Sequence, residues 1–224
     1  MLMLYDMVYI KPDKGTYGSG VMRVEQRTVT LSPTEHQEHH EYQEYQEEQE
    51  PKTKETKIMY ILRYRKSALA FSSPEDLDKA LIKVIQNRSY LIQKGIDLLK
   101  HKERPFDLRV LVQKNLEGSW ETTGMLSRVA APHKIITNYH SGGRIMSVRA
   151  VLEGHMNASE AASTMYELKT LGIVMARQLE KVYPGIKEIG LDVAIDSEYD
   201  LWVLEINTLP SIVVFKLFPD KSIY

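Results

Sequence analysis

Cysteine is absent from all 224 residues, which excludes a disulfide framework, a zinc–thiolate site and a thiol nucleophile. Any metal must then be held by oxygen or imidazole, which favours hard cations. Long apolar runs are also missing. No stretch approaches the roughly 20 residues needed to cross a bilayer, and the opening MLMLYD reaches an aspartate too soon for the hydrophobic region of a secretory signal. The expectation is a cytoplasmic protein without membrane or export. Clustered Lys/Arg and a recognisable RNA-binding aromatic motif are lacking too, so a nucleic-acid partner is not expected.

What is present is 43% hydrophobic and 26% charged residues, with 29 basic against 30 acidic side chains. Such a composition suits one ordinary domain, or two small ones sharing a core. The near-neutral total conceals an asymmetry. Thr34 to Glu50 holds seven Glu and no Lys or Arg, and leaving it out gives 29 basic against 23 acidic groups. A basic excess of that size suits an anionic small ligand.

That acidic tract, TEHQEHHEYQEYQEEQE, places Glu at every third position from Glu35 to Glu50. A period of three walks charge around a helix axis, and the tract has too few apolar groups for a core. It reads as a disordered, solvated insert; His36, His39 and His40 could bind a transition metal, but low-complexity loop is the simpler reading.

Around the insert the pattern is strand, glycine loop, strand: MVYIK, PDKGTYGSG and VMRV, with a further β-rich stretch from Thr28 to Leu31 and strand character again in KIMYILRY. The insert should therefore join two strands at the edge of a small sheet. Ser73-Pro74-Glu75-Asp76 predicts a helix start, with an N-cap serine, proline in the first turn and acids at the positive end of the dipole. Leu77, Ala80, Leu81, Val84 and Ile85 then form its apolar stripe. YLIQ returns to strand, and the first half, residues 1–95, ends at Gly95.

The second half, residues 96–224, opens with FDLRVLVQ and a strand from Trp120 to about Arg128, a predicted hairpin. A long helix is expected from about Ser159 to Val182, with Met165, Leu168, Gly172, Met175, Leu179 and Val182 on one side and Tyr183-Pro184-Gly185 as its stop. EIGLDVAID and LWVLEIN read as the last two strands. The fold class is α+β in two lobes, with a cleft expected between them.

Glu205 and Asn207 lie two apart on a strand, so their side chains leave the same face. Asp192, between Leu191 and Val193 on the strand expected alongside, faces away from both. Carboxylates in strands this apolar are seldom buried unless paired or metal-bound. Two carboxylates and an amide oxygen suit Mg²⁺ bridging phosphates; a solvated sheet face would explain the same pattern. Lys11 ends its strand before a loop with Gly15, Gly18 and Gly20, which could let backbone N–H groups approach phosphate oxygens beside a mobile ammonium. The loop lacks the Gly-Lys-Ser/Thr of a Walker A motif and leads into a strand, so it is neither that motif nor the dinucleotide fingerprint; a plain hairpin turn is the alternative. Arg109 and Arg128, in and after strands, could stabilise a phosphoryl group in transit.

Taken in order, VYIKPDKGTYGSGVMRV, YLIQKGI, FDLRVLVQ, GMLSRVA, TNYHSGG, GLDVAID and LWVLEINTLP closely resemble the ATP-grasp superfamily. Within it the chain is similar to the YheC/YheD group, named for association with the bacterial endospore coat, and more distantly to the ribosomal-protein glutamate ligases. The resemblance implies an ATP-grasp fold whose two lobes hold the nucleotide in their cleft: residues 1–95 as lid lobe, 96–224 as the metal-bearing lobe. The N-terminal domain that usually precedes them is expected to be missing.

The resemblance further implies ATP and Mg²⁺ as cofactors. Lys11 would touch the α- or β-phosphate, and the loop from Gly15 through Gly18 to Gly20 would fold over the β- and γ-phosphates. Tyr9 would lie against the adenine, whose edge would be held by Gln93, Lys94 and Ile96. Asp192, Glu205 and Asn207 match the magnesium ligands, Arg109 and Arg128 the basic residues near the transferred phosphoryl group. Asn138 would shape the phosphate and acceptor side with Gly142 and Gly143. The implied reaction joins a carboxylate, whose identity is not legible, to an unknown amine through an acyl phosphate. A catalytically weak nucleotide-binding protein with a structural role among spore coat proteins is the alternative, and a kinase on the same scaffold the third possibility.

Overall fold

A computed structural model describes residues 1–15, 18–30, 55–65, 67–132, 137 and 142–216. The acidic tract from Thr34 to Glu50, with its three histidines, lies outside the described residues. The chain divides into two units, one made of Met1–Gly15 and Gly20–Gly95 and the other of the rest.

The first unit contains β1 (Met7–Pro12), β2 (Met22–Thr30), β3 (Thr56–Tyr64), β4 (Ser67–Phe71), α1 (Pro74–Ile85) and β5 (Tyr90–Lys94). Its strands form one antiparallel sheet in the order β4-β3-β2-β1-β5. Alternation decides its two faces. Val8, Ile10, Met22, Val24 and Leu62 point to one side, where Leu77 of α1 joins them and Ala80, Leu81, Val84 and Ile85 pack alongside. Burying each large aliphatic side chain contributes about 1.5–3 kcal/mol, so this stripe holds the helix to the sheet. α1 starts as expected: the Ser73 hydroxyl accepts from the Asp76 N–H at 3.2 Å, and Pro74 occupies the first turn.

Two expectations need correcting here. VMRV and the stretch beginning at Thr28 belong to one nine-residue strand, β2. The strands flanking the acidic tract are not at the sheet edge, because Ser67–Phe71 adds β4 outside β3. That strand is hard to recognise in SALAF, which is exposed along most of its length and so carries no apolar alternation.

The second unit contains β6 (Lys100–His101), β7 (Arg104–Lys114), β8 (Trp120–Val129), β9 (Arg144–Met146), α2 (Val148–Leu152), α3 (Ala158–Val182), β10 (Glu188–Ile195), β11 (Leu201–Asn207) and α4 (Val213–Lys216). Its sheet runs β11-β10-β7-β8-β9, with β6 paired to β7. Phe106, Leu108, Val110 and Val112 of β7 and Ile189, Leu191 and Val193 of β10 share one core with Val151 of α2 and with Leu168 and Ala176 of α3. On the opposite face Leu111 and Leu126 pack against Phe215 of α4. The central strands are covered on both faces, so they read as apolar runs broken by a few charges.

The β7–β8 hairpin turns at Gly118, whose φ of +82° favours glycine. Asn157 caps α3 in a reciprocal box with Glu160. The expected apolar side of α3 needs one change: Val182, in the last turn, is 68% exposed. Among the described residues no helix is long and apolar enough to cross a membrane.

Candidate functional site

In the second unit the registers of three strand pairs bring charges into one row. Glu205 pairs with Asp192, Asp192 with Arg109, and Arg109 with Leu126. Directly opposed residues in antiparallel strands share a face, so these side chains lie on the side away from α3. Asn207 pairs with Gly190, two residues along from Asp192. A register shift supports this arrangement: Asp192 opposes Glu205 while Val193 opposes Val203, which leaves Leu204 as the extra residue of a bulge. The bulge lets Val203 serve the core while Glu205 remains on the polar face.

Asp192 is 7% exposed and sits between two guanidinium groups. Arg128 Nη2 is 2.8 Å from its Oδ2, and Arg109 Nη2 donates to the same oxygen at 3.3 Å. Arg109 Nε lies 2.6 Å from Oδ1, yet without hydrogen-bond alignment, so this buried oxygen has no hydrogen-bond partner. Both carboxylate oxygens of Asp192 are therefore engaged in ion contacts with guanidinium groups.

Arg128 is 4% exposed and also grips Asp107, with Nε donating to Oδ1 at 2.8 Å and Nη2 to Oδ2 at 2.5 Å. Thr137 donates its hydroxyl to the same Asp107 Oδ2 at 2.6 Å. Burial works against the Arg128 charge, but Asp107 and Asp192 outweigh it and hold its pKa above the usual guanidinium range. Asp107 belongs to the FDLR run, yet spacing alone did not single it out; its role depends on which residue of β8 falls opposite. Gly190 leaves room for this cluster: a Cβ there would stand 2.7 Å from Pro210 Cβ and 3.2 Å from Arg109 Nη1.

The oxygen donors fit a hard divalent ion in two respects. Asp192 and Glu205 are directly opposed carboxylates of neighbouring strands, and Glu205 is exposed. Among the described residues no group of three or more His, Cys, Asp or Glu side chains is assembled for a metal. A cation here would rest on two carboxylates and the Asn207 amide, with the ligand's own oxygens completing the shell.

In the first unit, registers align Gln93, Tyr9, Arg23 and Arg63 across β5, β1, β2 and β3. Lys11 lies two residues from Tyr9 on the same face, which is the face away from α1. Burial pushes the Tyr9 phenol up, against the pull of the neighbouring Arg23. Lys94 does not share this face. It pairs with Val8 on the α1 side, where its ammonium lies 5.5 Å from the Tyr5 ring centroid. Ile96 is buried. Gly18 and Gly20 have φ of +70° and +83°, a conformation that glycine adopts without strain, whereas Gly15 is exposed with no such φ. Asn138 lies outside the described residues.

Comparison with known proteins agrees with this architecture. The family model described as YheC/D-like ATP-grasp matches residues 1–224, and the chain belongs to that family. It is 24% identical over 217 residues, 94% of its length, to the endospore coat-associated protein YheD of Bacillus subtilis (strain 168). It is 23% identical over 145 residues, 65% of its length, to the endospore coat-associated protein YheC of the same organism. The chain spans about two fifths of these relatives, 41% and 39% respectively.

Proposed function

We propose that this chain binds Mg-ATP and acts as an ATP-dependent carboxylate–amine ligase. The observation that supports it most is the row Glu205–Asp192–Arg109, with Asn207 two residues along and Arg128 beneath Asp192. Oxygen donors and guanidinium groups side by side are what a reaction that moves a phosphoryl group requires.

A carboxylate is a poor electrophile. In the proposed reaction a substrate carboxylate oxygen attacks the γ-phosphorus of ATP, the bond to the β-phosphate oxygen breaks, and an acyl phosphate and ADP result. An amine then attacks the acyl carbon, the carbon–oxygen bond to phosphate breaks, and the amine's proton leaves with the phosphate, giving an amide. Lys11 neutralises phosphate charge, while Tyr9 and Gln93, on the same strand face, hold the adenine. Arg109 and Arg128 stabilise charge near the phosphoryl group; Arg128 is already fixed by Asp107, so its position costs little reorganisation on binding. Asp192, Glu205 and Asn207 would hold Mg²⁺, which would supply neutralisation of phosphate charge. No general base is assigned, because positioning and charge carry this chemistry.

The test is ADP release in mixtures of protein, Mg²⁺, ATP and panels of acids and amines. Release that requires both an acid and an amine supports the ligase. The names of the relatives favour one second reading, a nucleotide-binding protein with a structural role in the spore coat. It predicts that ATP raises the melting temperature while no acid and amine pair yields product, and that spore-coat fractions contain the protein. A stable phosphorylated product without an amine requirement would instead indicate a kinase.

A further inference from the structure

Among the described residues Glu25 is the one buried charge of the first sheet, 6% exposed, and it is over-subscribed. Arg23 pairs with its Oε1, Arg27 Nη2 lies 2.5 Å from its Oε2, and Arg63 Nε lies 3.4 Å from Oε1. Burial opposes the Glu25 carboxylate charge, but the arginines prevail and its pKa lies below the ordinary glutamate value. One carboxylate cannot neutralise three guanidinium groups, so the cluster keeps an excess of two positive charges.

Position separates the three. Arg27 and Arg63 side chains are 55% and 37% exposed, Arg23 only 22%. Arg23 opposes Tyr9 on the row that continues to Gln93, and it also hydrogen-bonds the Tyr9 phenol. Its Nε is buried with no hydrogen-bond partner. The Arg23 side chain keeps 22% exposure on the face that carries Tyr9 and Lys11, where the uncompensated positive charge favours an anionic ligand.

We propose that Arg23 is a phosphate-binding residue of the β1–β2 face, held in place by Glu25, and that its ligand is a polyphosphate chain. The assignment rests on the nucleotide reading above and adds a residue to it. Glu25 is a positioning residue: it carries the wrong charge to touch phosphate, and acts by fixing the Arg23 fork. The planar fork suits two phosphate oxygens at once, which a lysine ammonium does not reproduce.

The experiment is titration calorimetry of the full chain, with Mg-ATP, adenosine and inorganic tripolyphosphate as separate probes. Wild type is compared with Arg23→Ala, Arg23→Lys and Glu25→Gln, and circular dichroism checks that each variant is folded. Arg23→Ala should weaken Mg-ATP or tripolyphosphate binding about tenfold or more and leave adenosine unchanged; Arg23→Lys, the variant least prone to misfolding, should recover only part. Glu25→Gln removes a negative charge, so simple electrostatics predicts tighter tripolyphosphate binding, whereas loss of positioning predicts weaker. If wild type binds Mg-ATP and both Arg23 variants match it, this inference is overturned while the nucleotide reading stands. Arg23-dependent tripolyphosphate binding without any response to ATP would uphold the anion site and overturn the nucleotide reading. Absence of binding to either overturns both, and tighter binding by Glu25→Gln overturns the positioning role.

Discussion

Asp107 and Arg128 form a buried pair, each about 5% exposed in its side chain, and Thr137 completes it. Removing one member of such a pair leaves an uncompensated charge, so Asp107→Ala should cost about 3–5 kcal/mol, read as a lower urea midpoint. A loss within about 0.5 kcal/mol, the size of a neutral surface change, would mean that Arg128 is satisfied by Asp192 alone. Glu25 gives a pH signature. Its folded pKa lies below the ordinary glutamate value, so its contribution is fully present above that ordinary value and is lost as pH falls through the lower folded one. The melting-temperature gap between wild type and Glu25→Gln should therefore shrink as pH drops below about 4.5; a gap that widens there would contradict the sign. Sequence could show that Glu205 and Asn207 leave one strand face and that Asp192 opposes its apolar neighbours. It could not show that two arginines converge on Asp192, or that Glu25 gathers three, because both facts depend on pairing between strands far apart in the chain.

α3 was legible from its apolar period and its stop at Tyr183-Pro184-Gly185, and its observed span, Ala158–Val182, begins one residue earlier than expected. Val182 fell out of the pattern because a helical period continues past the point where the sheet ceases to cover the helix. At Gly172 the helix and sheet pack tightly: a Cβ there would stand 2.7 Å from Val112 Cγ2 and 3.2 Å from Val110 Cγ1. Alanine is the better helix former by about 1 kcal/mol, but overpacking costs about 1–3 kcal/mol. Gly172→Ala should thus be destabilising in urea denaturation, and a stabilised variant would show that the helix can lift off freely. The short elements β4, β9 and α2 were not read from sequence. Three to five residues hold too few repeats for a period to emerge.

Across the molecule, the run of motifs from VYIK to LEINTLP made the α+β class and the family readable, since ordered motifs constrain a fold more tightly than any single spacing. The acidic tract lies outside the described residues, but the strands on either side of it are defined. β2 and β3 pair without interruption from Met22↔Tyr64 to Thr30↔Thr56, so their ends already stand opposite each other. Replacing residues 31–55 with Asn-Gly, which suits a two-residue hairpin turn, should leave the melting temperature within about 4 °C, the equivalent of roughly 1 kcal/mol. A much larger fall would show that the tract supports the sheet. The central claim is that this chain's own carboxylates and amide hold the metal of a bound Mg-ATP, and calorimetric titration with ATP tests it most directly. Wild type should bind ATP tightly with Mg²⁺ and weakly without it, and Glu205→Gln should lose most of that metal dependence. Equal binding with and without Mg²⁺, or a Glu205→Gln variant indistinguishable from wild type, would contradict it.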